Sequence, residues 1–193
     1  PDGFLGVKLE WTIDQVRGAI PKTREAFEID DQKNCPTAPA QPCHRIVEKA
    51  PKGTSHSKAE YWFNPFNGRL ARITVEYRLG YVDVDNQFTQ SFGPPTTNVA
   101  KAVAENAFLG AGTEVTKVWR QGPFEVELVY LLLAKNPTEA HNGHVEFRSV
   151  TQLELMRDLG EQMKSLGGPA PSPAPGKPPP SDGKSEEAPP KLF

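Results

Sequence analysis

The chain has little cysteine, few methionines, no long apolar run and no surplus of either charge, and each shortage excludes something. Its 193 residues carry 22 basic and 24 acidic side chains, for a formal charge of −2. No basic field exists to draw in phosphate backbones or an anionic bilayer, so no nucleic-acid or polybasic membrane-surface partner is expected. The longest apolar run, residues 128–134, has seven residues, whereas a membrane-crossing helix needs about 20. No membrane-spanning segment is expected. Hydrophobic residues make up 37% of the whole chain, a value diluted by a polar tail, so the remainder is expected to bury a core. The chain starts at Pro1 and not at methionine, which predicts that an upstream segment has been removed by signal processing or in cloning.

Only two cysteines occur, Cys35 and Cys43, separated by PTAPAQP. Three prolines in that stretch oppose helix and central strand, so it reads as an exposed loop whose ends a disulfide can join. Closing so small a ring is worth roughly 2.5 kcal/mol, and the bond implies an oxidising compartment, periplasmic or extracellular. Two free thiols in a reducing compartment are the alternative. Cys43-His44 also matches the end of a c-type haem attachment site, but seven intervening residues stand where that site has two.

Proline, by contrast, is abundant. Nine of the 20 prolines fall in residues 168–193, where Ser, Gly, Lys and Glu leave almost nothing apolar to bury. This segment reads as a disordered Pro-rich tether, extended at about 3.1 Å per residue. It ends in Lys191-Leu192-Phe193, a short apolar tip able to dock in a partner groove or to lead into a further domain.

Residues 1–167 read as two similar units. In residues 1–80 a strand is expected over 4–10. A helix follows, opened by the Thr12/Gln15 capping box and stopped by Pro21. Short strands are expected over 26–31 and 44–49. The strands 58–66 and 69–79 then form a hairpin about Asn67-Gly68, a pair suited to a two-residue turn with positive φ at both positions. In residues 81–167, Asp83 or Asp85 is expected to cap a second helix carrying Val84, Phe88 and Phe92. Thr96 or Thr97 is expected to open a third, with Val99, Val103 and Ala107 on one side and its end at Gly110. A hairpin about Gly122-Pro123 joins 114–121 to 124–134. Asn142-Gly143 makes a further turn before the strand 145–150, and Thr151/Glu154 caps a last helix bearing Leu153, Met156, Leu159, Met163 and Leu166. The fold class is therefore expected to be α+β: tandem helix-plus-antiparallel-hairpin units forming sheets backed by helices, with the two units related by a diverged duplication.

The runs Gly6-Val7-Lys8-Leu9-Glu10-Trp11-Thr12-Ile13-Asp14-Gln15-Val16, Tyr61-Trp62-Phe63 and Gly68-Arg69-Leu70-Ala71-Arg72-Ile73 resemble the SmpA/OmlA-type outer-membrane-assembly lipoproteins. The tandem layout is also similar to β-lactamase-inhibitor-protein-like folds. The resemblance covers residues 4–77 and, more faintly, 83–150. It implies a non-catalytic protein that binds other proteins with an antiparallel sheet backed by helices. Two departures stand out: the family's usual glycine after the first-strand leucine is Glu10 here, and no lipid-bearing cysteine stands at the N-terminus.

No residue set forms a catalytic pattern, so no enzyme and no cofactor is expected. Ser55-His56-Ser57 lacks the glycine frame of a nucleophile elbow. Gly110-Ala-Gly112 follows an expected helix and not a strand, so it fails the test for a phosphate-binding turn. Asp30-Asp31 and the pair Asp83/Asp85 lack the looped ligand series of a calcium site. His141 and His144 flank Asn-Gly and have metal-ligand residue types, without a dependable third ligand. The aromatics Tyr61, Trp62, Phe63 and Trp119, with Phe66, Phe124 and Tyr130, concentrate on the hairpins. Because neighbours on a strand face opposite ways, one set is core and the other is available to a partner. The function expected is a non-catalytic protein-binding or scaffold module, either secreted or of the cell envelope, where it can be one subunit of an envelope assembly, contacting its partner through those aromatics and through Leu192 and Phe193. A small-molecule or metal-binding periplasmic protein, and an enzyme of unrecognised type, are the alternatives.

Overall fold

A computed structural model describes residues 2–22, 24–31, 43–54, 56–77, 80–106 and 110–165. The expectation of an α+β body is overturned. Among the described residues the fold is mostly β, with eight strands hydrogen-bonded into one antiparallel sheet and a separate two-stranded ribbon.

The chain opens with that ribbon, β1 (Gly3–Phe4) and β2 (Val7–Lys8), in place of the single strand expected over 4–10. Leu5 (φ 49°) and Gly6 (φ 85°) make its turn, with positive φ at both central residues as a type I′ turn demands. Helix α1 (Ile13–Ala19) follows under the expected capping box: the Gln15 amide donates to Thr12 Oγ1, and the Thr12 amide donates to Gln15 Oε1.

Four antiparallel strands come next, β3 (Glu25–Asp31), β4 (Cys43–Lys49), β5 (His56–Phe63) and β6 (Leu70–Tyr77). The β5–β6 connection is not the two-residue turn expected. Gly68 (φ 67°) takes a left-handed conformation but Asn67 does not, and the Asn64 amide bonds to the Arg69 carbonyl across residues 65–68. The cause is local: Asn64 and Asn67 each accept a backbone amide on Oδ1, from Phe66 and Arg69, and so stabilise a longer loop.

Helix α2 (Tyr81–Phe92) has Gly80 and not an aspartate at its N-cap, and it ends at Gly93 as expected. The predicted third helix does not form. Residues Thr97–Asn106 are a strand, β7, which pairs with β8 (Gly110–Gln121). Strand β9 (Phe124–Leu133) then turns back across Gly122-Pro123, as expected, with Gly122 at φ 59°. Strand β10 (Asn136–Ser149) runs through Asn142-Gly143, where a turn was expected. That dipeptide lies instead in a register shift between His141 and His144, a bulge within one continuous strand. Helix α3 (Val150–Ser165) closes the described chain. Its first amides are met by Ser149, whose Oγ accepts from the Gln152 amide, and not by Thr151.

The strand order is β3-β4-β5-β6-β10-β9-β8-β7. Each half is thus a helix followed by a four-strand meander, and the halves meet where β6 pairs with β10 through Val145↔Val75 to Arg148↔Arg72. The units are larger than helix plus hairpin, and they share one sheet. One apolar cluster spans the seam, combining Val16, Ile46, Tyr61, Phe63, Leu70 and Ile73 with Val84, Phe88, Trp119, Leu128, Tyr130 and Phe147. A smaller cluster of Cys43, Trp62, Ala71 and Met156, with Leu153 and Phe66 against it, places α3 on the opposite face of the sheet.

Candidate functional site

The aromatics expected at an interface lie in the interior. Tyr61, Phe63 and Trp119 are 0%, 1% and 2% exposed in the main core. Trp62, on the other face, is buried in the α3 cluster. Alternation does separate Trp62 from Tyr61 and Phe63 as expected, but both faces at that point are covered, so all four side chains are buried in this structure. Leu192, Phe193 and Cys35 lie outside the described residues. Cys43 is buried at the start of β4, beside Trp62. His141 pairs with Leu131 in the β10–β9 ladder. The ring of His144 stands 3.8 Å from Glu146, and among the described residues no group of three metal-ligand side chains converges. No helix among them is long and apolar enough to cross a membrane.

Both halves bury a tyrosine hydroxyl against a carboxylate that is itself ion-paired. In the first, Tyr61 OH donates to Glu48 Oε2 (2.7 Å), and Arg24 holds Glu48 Oε1 (2.6 Å). In the second, Tyr130 OH donates to Asp85 Oδ2 (2.9 Å), which Lys117 also binds (2.5 Å). Burial first, and the adjacent carboxylate second, hold both phenols well above their usual range. The tyrosines are kept neutral, as hydrogen-bond donors. A cleft of about 180 Å³ beside α1 is lined by Arg17, Arg24, Ile20, Pro21, Phe27 and Ile46. Its arginines are engaged by Glu28 and Glu48, so their charge is already neutralised.

The face of the sheet turned away from α1 and α2 is different. On that face, Arg45 and Arg72 lie 4.6 and 6.0 Å from the Trp62 ring centroid. From there an ion-pair lattice crosses the middle strands: Arg45 to Glu60 (3.1 Å), Arg72 to Glu146 (2.9 Å), and Arg148 to Glu146, Glu125 and Glu127. Arg120 caps it at Glu125 (2.6 Å). Desolvation lowers the Arg72 pKa. Arg148 feels desolvation too, but Glu146 and Glu127 outweigh it and raise the value. The contrast follows from partner number, one carboxylate in contact against three.

Beyond the lattice the same face becomes aliphatic. Since Val115, Trp119, Val126, Leu128 and Tyr130 point into the core, alternation turns Val118, Val129 and Leu131 outward, and the register adds Val99 opposite Thr116. Helix α3 covers the corresponding region of the first half but packs at Trp62 and Ala71, away from these residues. Val99 is 52% exposed, and residues 97–102 are exposed on both faces of β7. Val118, Val129 and Leu131 are half-buried by their neighbours on the strands. The sequence pattern does not show this helix-free area, because the spacing of Val99 and Val103 reads as a helix, which removes one strand and its edge from view. No protein-family model matches the chain, and neither a curated protein nor a solved structure matches it.

Proposed function

We propose that this chain is a non-catalytic protein-binding module of an extracytoplasmic compartment, and that it binds with the helix-free face of the second half of its sheet. The observation that carries this reading is the pairing of an aliphatic patch, Val99, Val118, Val129 and Leu131, with a rim of fixed charges at Arg120, Glu127 and Arg148. An apolar centre with a charged rim is the usual composition of a protein interface. The lattice favours a folded partner over a small molecule, because it presents directional charges over several strands and not a concave pocket. The compartment rests on the Cys35–Cys43 pairing proposed from the Pro-rich spacing. The tail at residues 168–193 serves as a spacer or second contact. The SmpA/OmlA-type resemblance agrees with this reading through the same mode of recognition, a sheet face.

A photo-crosslinking amino acid at Val129, compared with one at the exposed Gln87 on α2, tests the proposal in an envelope extract. The expected result is a discrete adduct from position 129 alone, lost in Val118→Lys. Equal adducts from both positions, or adducts indifferent to Val118→Lys, would overturn the assignment of the face.

A further inference from the structure

The sheet has two edges, and their chemistry differs. Edge β3 carries Glu25, Glu28, Asp30 and Asp31 among its seven residues. Edge β7 carries one charged residue, Lys101, in residues 97–102, and all six are exposed. The outward amides and carbonyls of an edge are left to water or to another strand, a ready template for pairing that natural sheets guard with charge. Self-pairing of β3 brings carboxylates together: a twofold axis at Glu28 sets Glu28 against itself and Glu25 against Asp31. The same operation on β7 meets no such penalty. With the axis perpendicular to the sheet at Val99, the facing pairs are Val99 with Val99, Asn98 with Ala100, Thr97 with Lys101, and Thr96 with Ala102. Pro95, which has no amide to donate, bounds the ladder. An axis at Lys101 would oppose two ammonium groups, and one at Asn98 would draw both Pro94 and Pro95 into the pairing.

We infer that β7 is a homodimerisation edge, pairing antiparallel with β7 of a second copy about Val99 to give one continuous sheet across both copies. The assignment is argued from the edge and not from the proposed binding face, but the two share Val99, and pairing has a geometric consequence for that face. An axis perpendicular to the sheet keeps the aliphatic faces of both copies on one side, so Val129, Thr116 and Val99 of each form a single row across the junction. The contact is one short ladder, below the area of standard stable interfaces, so weak association, micromolar or weaker, is expected.

Sedimentation equilibrium of the full chain over a concentration series provides the test. The wild type is expected to move from monomer to dimer. Val99→Lys and Val99→Glu each place like charges directly opposite across the axis and are expected to weaken self-association at least ~10-fold. An equimolar mixture of the two variants is expected to recover the dimer, because lysine then faces glutamate. Wild-type protein that stays monomeric throughout, variants that dimerise like the wild type, or a mixture no better than its components would each overturn the inference. Unchanged circular dichroism in the variants separates lost pairing from lost folding. Val129→Lys, which addresses the binding face, is expected to dimerise normally, so failure of one reading is distinguishable from failure of the other.

Discussion

At the scale of single residues, Glu10 and Ser149 show how a strained position is held. Glu10 sits at φ 68°, a left-handed conformation that costs a non-glycine residue about 1 kcal/mol or more. It is retained by three contacts: Ser149 Oγ donates to its carboxylate (2.8 Å), Arg69 Nη1 donates to its carbonyl (2.9 Å), and its own amide donates to the Leu70 carbonyl (2.8 Å). Glu10→Ala and Glu10→Gly both remove the Ser149 contact, but only glycine relaxes the backbone. Chemical denaturation is therefore expected to find Glu10→Ala less stable than Glu10→Gly by about 1 kcal/mol. Equal midpoints would mean that the position carries no strain. The tyrosines give a second residue-scale prediction. Burial raises the pKa of Tyr61, Tyr77, Tyr81 and Tyr130, with Tyr77 pushed up to about 12. A folded value above the unfolded one of ~10 means that the stabilisation is fully present below pH 10 and is lost as pH rises through the folded value. Tyrosinate absorbance is expected to stay low past pH 10 and then rise together with loss of the far-ultraviolet signal. Titration of all four near pH 10 with the fold intact would contradict their burial.

At the scale of elements, the α3 cap distinguishes two readings of one stretch. The pattern Thr151/Glu154 suggests a capping box, but Ser149 stands two residues earlier, is fully buried, and accepts the Gln152 amide. Gln152 in turn accepts from Asn64 and Asn67, which ties α3 to the β5–β6 loop. Ser149→Ala is expected to cost about 1–2 kcal/mol, and exposed Thr151→Ala only a few tenths, measured as shifts in the denaturation midpoint. The reverse ranking would restore the sequence reading. Gly143 illustrates the same competition. A Cβ there would lie 2.5 Å from the Val129 carbonyl oxygen and 2.9 Å from the Tyr81 ring. Its glycine serves the close packing of α2 on β10, and no turn is needed to account for it. Strand β7 was misread for a related reason. Val99 and Val103 are four apart, and a spacing of four places residues on one face in a helix and in a strand alike. The alanines favour helix, but the ladder offered by β8 decides the outcome.

At the scale of the whole molecule, the main core takes residues from both halves and crosses the β6–β10 seam. Separating the halves would expose Ile73, Val75, Val145 and Phe147 together, so they are expected to unfold as one cooperative unit. Variants that retain only Trp62, in the first half, or only Trp119, in the second, are expected to report the same denaturant midpoint by fluorescence. Two distinct midpoints would show that the halves fold independently.

Much was legible in the amino-acid order: the Thr12 cap, the strands that flank the cysteine loop, the β5–β6 and β8–β9 hairpins, and the end of α2 at Gly93. These depend on contacts between near neighbours, which capping atoms, turn residues and alternation specify locally. The candidate site was not legible. Whether Trp62 and Trp119 face water, whether residues 97–106 coil or extend, and which part of the sheet α3 leaves open depend on contacts between residues far apart in the chain. Burial is a property of the packed assembly, and a strand takes its identity from the neighbour that completes its hydrogen bonds.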